Sequence, residues 1–306
     1  MHIFIAFQTL KMDIFKGQGV IEFSKSFQTE LDCKKYLAEI KWKDGYTCRK
    51  CGHKGSQIRK DYARTCNKCS DTESAGADTM FHKLKFGLLK AFHICFEMST
   101  STKGLSAMYV AKRCEINRKT AMNFMHKVRE AMKSSENHPM QGEVHVDEFV
   151  VGGQEAGHTG RSYGGNKKKV VCAVELTEEG KVKRFYALKI RDFSAKSLRP
   201  IFDQHIDKEA QVVTDKWKGY RPIAKDYTIK QISSELGLNF KAIHTMIHQV
   251  KSWLRTTYSW VSKRHIERYL SEFSYRINRS QNKDTIFNNL IIRMVKADKM
   301  YISNMI

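Results

Sequence analysis

The chain has 306 residues, enough for two or three domains that each bury a core. It carries 54 Lys and Arg against 32 Asp and Glu, a net charge of +22, with 41% apolar residues and three prolines. That balance excludes long disordered linkers, argues against a small-metabolite enzyme and favours a polyanionic partner; no apolar run of 18 residues is present to span a membrane.

Residues 1–45 are expected to form an N-terminal helical segment. Its opening apolar stretch is too short for a signal peptide with a cleavage site, and Met12 is a second candidate start. Phe23, Phe27, Leu31, Tyr36, Leu37 and Ile40 recur at helical spacing. Residues 46–80 hold two Cys-x-x-Cys pairs, Cys48 with Cys51 and Cys66 with Cys69, separated by 14 residues. Four thiolates at that spacing suit one tetrahedral Zn²⁺ in a zinc ribbon. Two disulfides or four unrelated thiols are the alternatives, and disulfides belong to secreted chains. The remaining cysteines are scattered singly, as in a reducing cytoplasmic compartment.

Residues 81–137 are expected to be a helical DNA-binding region. Leu105, Met108, Tyr109 and Ala111 sit in a first helix, a break follows at 114–117, and Asn117 is placed to cap a second helix. In a helix-turn-helix, Arg118, Lys119 and Asn123 would face base edges; an ordinary helical hairpin is the alternative. Basic residues exceed acids in 99–133, in 160–199 and in 240–306, the pattern of a long phosphate track. Lys167, Lys168, Lys169 and Arg255 are expected along it.

From residue 138 the periodicity changes. Residues 143–151 alternate like a strand, 169–176 and 182–190 flank Glu179-Gly180 as a hairpin, and Ser194 caps a helix. A short strand at 211–215 and helices at 241–256 and 262–276 complete a mixed α/β domain over 138–285. A helical tail is expected over 286–306. Asp147 and Asp215 each follow an apolar strand segment, where two carboxylates can hold a divalent metal, although turn or cap roles are the alternative. His244, His248, Lys251 and Arg255 share one helical face beside the apolar Ile243, Ile247, Val250 and Leu254.

These stretches resemble a known family. Val146-Asp-Glu-Phe149, Gly152-Gly153, Thr214-Asp-Lys-Trp-Lys-Gly-Tyr220, Lys251-Ser-Trp-Leu-Arg255 and the run from His265 to Asn278, behind the cysteine pairs, are similar to bacterial insertion-sequence transposases of the DDE class, in the subgroup with an N-terminal zinc ribbon. The resemblance implies an RNase H-like catalytic domain. It also implies metal-dependent DNA cleavage and strand transfer at the element's ends, with Mg²⁺ or Mn²⁺ held by Asp147 and Asp215. The third catalytic position falls on His248, with Lys251 three residues on. Glu148, Glu267 and Glu272 are rivals for that place; Glu148 would point to the opposite sheet face if its strand continues. Coordinated cutting of two ends implies at least a homodimer on double-stranded DNA. No P-loop is present, so ATP is not expected. Two other functions remain open: a catalytically decayed DNA-binding regulator and a structure-specific nuclease without strand transfer.

Overall fold

A computed structural model describes residues 14–153 and 167–301. The opening apolar stretch with Met12, the start of the second basic segment (160–166) and the last residues of the expected tail lie outside the described residues. In chain order the elements are α1 (Val20–Ser26), α2 (Glu30–Lys41), β1 (Ser56–Ile58), β2 (Arg64–Cys66), β3 (Thr72–Glu73), α3 (Leu88–Thr100), α4 (Ala107–Arg113) and α5 (Arg118–Ala131). Then come β4 (Glu143–Val151), β5 (Lys168–Leu176), β6 (Val182–Ile190), α6 (Ala195–His205), β7 (Gln211–Thr214), β8 (Ile229–Gln231), α7 (Lys241–Thr257), α8 (Ile266–Ile277) and α9 (Ile286–Lys296).

The chain forms two compact units, cut at places other than the five sequence segments. One comprises Met1–Thr100 with Asn282–Ile306, the other Ser101–Gln281. In the first, Thr29 and Asp32 form a capping box that starts α2. Its core is aromatic: Phe23 stacks on Phe96 at 4.2 Å, and Phe287 of α9 meets the Phe23, Phe27, Phe92 and Phe96 rings. The C-terminal helix is therefore a core element of this unit. Its amphipathic pattern puts Phe287, Leu290 and Met294 on one fully buried stripe.

The second unit contains a five-stranded sheet in the order β6-β5-β4-β7-β8. β4, β5 and β6 pair antiparallel, while β4–β7 and β7–β8 are parallel. This mixed sheet is RNase H-like. β5 is buried along nearly its whole length because both sheet faces are covered. Phe149, Val170, Cys172 and Val174 pack against α7 and α8, and Val144, Val146, Val171 and Ala173 pack against Leu198, Ile201 and Phe202 of α6. Asn278 clamps the edge strand β6: its Oδ1 accepts from the Phe185 N–H at 2.7 Å and its Nδ2 donates to the Phe185 carbonyl at 3.0 Å. The strand β8 carried no sequence signal, since three residues are too short for a visible alternation.

Helices α4 and α5 belong to this same unit. Ser106 caps α4 by accepting from the Tyr109 N–H, Glu115 turns the chain at φ +50°, and the Asn117 carboxamide accepts from the Lys119 N–H at 2.8 Å. α5 then buries Ala121, Phe124, Met125 and Val128, leaving Arg118 and Lys119 exposed at its start.

Candidate active site and metal centres

The four ribbon cysteines converge with sulfurs all within 4.8 Å of one another. The two knuckles repeat one geometry. The Lys50 and Lys68 N–H groups each approach the sulfur two residues back, Cys48 and Cys66, at 3.4 Å. Gly52 and Ser70 donate back to the carbonyls of the same cysteines at 2.9 and 3.0 Å, both with positive φ. Cys48–Cys69 and Cys51–Cys66 Sγ distances are 3.6 Å. That is far beyond an S–S bond of about 2.05 Å and close to the spacing of about 3.8 Å that a tetrahedron of about 2.3 Å Zn–S bonds requires. None of the eight cysteines is in a disulfide. The four thiols titrate against one another: the backbone N–H of Cys51 pulls the Cys48 thiol down to about 6, whereas, against the Asp71 N–H, burial and the other three sulfurs push Cys69 up to about 12. The donor set fits Zn²⁺.

In the second unit, Asp147, Glu148 and Asp215 bring carboxylate oxygens within 4.8 Å of one another. Asp147 lies inside β4, not at its end, because the strand runs on to Val151. β7 pairs with β4 only as far as Thr214 opposite Val146. Past that point β4 is open on this side, so Asp215 leaves the sheet level with Asp147. Glu148 does belong to the opposite face, as the alternation requires, yet its carboxylate joins the cluster beside the open strand edge. Strand alternation alone could not find this; the signal would have been knowing where the neighbouring strand stops.

The Asp-Lys-Trp-Lys-Gly-Tyr stretch after β7 builds the support. The Asp215 carboxylate accepts from the Trp217 N–H at 2.9 Å, and the Trp217 indole donates to the Phe193 carbonyl at 2.8 Å. Gln231 of β8 donates to the carbonyls of both Asp215 and Trp217. Gly219 is required: a Cβ there would stand 2.7 Å from the Phe193 oxygen. The chain then delivers Tyr220, fully buried, whose hydroxyl donates to Glu148. Burial and the neighbouring Glu148 charge push the Tyr220 hydroxyl well up, so it stays a donor.

Helix α7 crosses this end of the sheet. It buries Ile243, Ile247, Val250 and Leu254 and turns the other face to a cavity of about 510 Å³ lined by Asp147, Glu148, His244, His248 and Lys251 among others. His244 makes the direct contact, with Nε2 3.2 Å from Asp147 Oδ2. Gly237 makes room for its ring, since a Cβ there would lie 2.8 Å from the His244 Nδ1. His248 lines the cavity one turn further on but is not among the groups within 4.8 Å. Lys251 stands over the Phe149 ring at 5.4 Å, its pKa lowered by burial against the opposing pull of Asp147.

The other expected residues scatter. Arg118, Lys119 and Arg255 are exposed, and Asn123, Lys167 and Lys168 are half-buried. Lys169 is 8% exposed, its ammonium over the Phe193 ring, which withdraws it from an open phosphate track. Glu267 is exposed, and Glu272 is completely buried in an ion pair with Arg129.

A central strand and its neighbour that converge carboxylates at one end of an RNase H-like mixed sheet define the catalytic domain of a DDE transposase. Residues 139–278 match the ISXO2-like transposase domain. Among solved structures, the chain is similar to the "Crystal structure of the Mos1 Strand Transfer Complex" at 11% identity, covering 67% of this chain and 75% of that chain with a TM-score of 0.28. No curated protein matches. Among the described residues no helix is long and apolar enough to cross a membrane.

Proposed function

We propose that the protein binds the ends of an insertion element, cuts the DNA there and joins the freed end to a target duplex. The observation that carries this is the convergence of three carboxylates on a transposase-domain sheet, opening on a cavity shared with His248 and Lys251. Hard oxygen donors that close together fit Mg²⁺ or Mn²⁺, and leaving three acids adjacent without a cation would be repulsive. Asp147 and Asp215 are the principal ligands, and the set is completed either by Glu148 beside them or by His248 from α7. A divalent ion, when held by these residues, would supply a Lewis acid for water and for the charge on the scissile phosphate.

His244 keeps the Asp147 carboxylate in place, and Tyr220 does the same for Glu148. Lys251, on the cavity wall, meets a phosphate oxygen and offsets charge developing on it. The ribbon with Zn²⁺ and the start of α5 recognise the element ends, and paired ends call for at least two copies of the chain. The protein acts in the cytoplasm, on the nucleoid, without ATP.

The test is cleavage of a duplex carrying an element end, with Mg²⁺ or Mn²⁺, by wild type and by Asp147→Asn and Asp215→Asn. Cutting by wild type alone, with DNA affinity unchanged, supports the reading; equal cutting by all three defeats it. Joining of the cut 3′ end to a second duplex separates a transposase from a nuclease.

A further inference from the structure

A second groove, of about 860 Å³, lies in the same compact unit as the carboxylate cavity. One wall is the loop at 101–106 that leads into α4; the other is the side of α7 that carries Gln249, Ser252 and Thr256. His248 lines both this groove and the carboxylate cavity, so the two adjoin at that residue.

Its chemistry differs from that of the cavity. No acidic side chain lines it among the described residues; the walls combine the apolar Leu105, Phe273 and Ile277 with serine and threonine hydroxyls, Lys103 and His248. The Trp253 indole N–H is buried behind this wall with no acceptor. Gly104 packs over it: a Cβ at that position would lie 2.9 Å from Trp253 Nε1 and 2.8 Å from Thr257 Cγ2, so only glycine fits. Tyr109 of α4, 46% exposed, adds an aromatic face. Hydroxyls, a cation, an aromatic face and an absence of acids are the components of a single-strand binding groove.

We infer that this groove holds an unpaired stretch of DNA beside the phosphodiester presented to the carboxylates. Its phosphates lie against the hydroxyls and Lys103, and a base lies against Tyr109. The inference rests on the proposed action on DNA and adds the form of the substrate: an end with its strands parted next to the cut. His248, at the junction, then sits where the strand passes from groove to carboxylates.

The test is a binding comparison, without added Mg²⁺ or Mn²⁺, between a blunt duplex and the same duplex with an unpaired extension of about four nucleotides. Wild type should bind the extended end about tenfold more tightly, the effect of one or two stacked bases. Ser252→Glu and Thr256→Glu place acids on the accessible side of α7 without touching the carboxylates. Each should erase the preference while blunt-duplex affinity stays within about twofold, the range expected when the main phosphate contacts are untouched. With 5-iodouracil in the extension, the wild-type cross-link should map to Tyr109 or another residue of the groove walls; this arm decides the question if a variant fails to fold. Equal affinity of wild type for both ends, or cross-links outside residues 101–109 and 248–257, overturns the inference. Failure of the cleavage reading would show separately, as cutting by Asp147→Asn, and leaves this comparison, made without Mg²⁺ or Mn²⁺, unaffected.

Discussion

Arg129 of α5 and Glu272 of α8 form an ion pair at 2.7 Å in which the two side chains are 2% and 0% exposed. The guanidinium lies 4.2 Å from the centre of the Tyr269 ring and donates to the Tyr258 hydroxyl at 3.3 Å. Glu272 holds the Arg129 charge firmly in place despite the burial that opposes it. α8 in turn packs along β6. The helix that begins at Arg118 is thereby tied to the sheet that carries Asp147.

Glu272→Gln keeps the shape and removes the charge, leaving Arg129 buried and uncompensated. The expected destabilisation is about 3–5 kcal/mol, typical of breaking a buried pair from one side. It should appear as a lowered melting transition of the second unit, while cleavage measured well below that transition persists. Loss of cleavage in a protein that remains folded would make Glu272 part of the chemistry instead.

The carboxylate cluster predicts an ordered series. Asp147→Asn and Asp215→Asn should each reduce cleavage by a factor of about 10³ or more, as loss of a group stabilising the transition-state charge does. Glu148→Gln and His248→Ala separate two ways of completing the metal set. If Glu148 is the third ligand, its change weakens Mn²⁺ binding followed by calorimetry without DNA, and His248→Ala lowers the cleavage rate alone. If metal affinity falls for His248→Ala and not for Glu148→Gln, the imidazole is the ligand.

For the ribbon, one Zn²⁺ per chain should be found by elemental analysis. Cys66→Ser should release it and unfold β1–β3, because a structural zinc supplies about 10–16 kcal/mol of apparent binding energy to folding. The sheet of the second unit should be unaffected, as judged by its own melting transition. A chain without zinc that still holds the three-stranded sheet would refute the assignment.

DNA affinity should fall steeply with salt, with a log–log slope of about 0.9 per phosphate contact. Replacing Arg118, Lys119 and Asn123 together with Ala should flatten that slope by about two contacts and abolish preference for element ends over random duplex. Preference that survives the triple change would show that α5 is not the reading helix.

Stability should also depend on pH through two buried histidines. Burial pushes His126 down to about 3, with the Arg129 and His265 charges adding to it, and burial alone takes His205 down to about 4. Both are neutral in the fold and take up protons more readily when unfolded. Their contribution is therefore complete above the ordinary histidine range and is lost as pH falls from about 6.5 toward 4 and 3. Each steepens the loss by about 1.4 kcal/mol per pH unit. His126→Phe, which preserves the stack on His265 at 4.4 Å, should remove one such increment in urea melts between those limits; an unchanged slope would show that His126 is charged in the fold.

Much of this protein is determined by local sequence. The cysteine spacing sets the knuckles, because each pair needs only its own turn and the N–H groups that follow. The alternation in β4 and the repeat in α7 set which faces are buried, because periods of two and 3.6 are properties of the backbone. Asn117 and Ser194 announce the helices they cap. Four matters were decided only in three dimensions. Glu148 joins Asp147 and Asp215 because β7 stops one residue short of them. His244, not His248, touches Asp147 because Gly237 opens space for its ring. Lys169 is lost to the core because β5 is covered on both faces. The last helix enters the first unit through Phe287 because a stripe of aromatic residues has to be buried somewhere, and a sequence cannot say against which partner. Periodicity specifies which face of an element avoids water; where each strand ends and what packs on it depend on contacts between residues far apart in the chain.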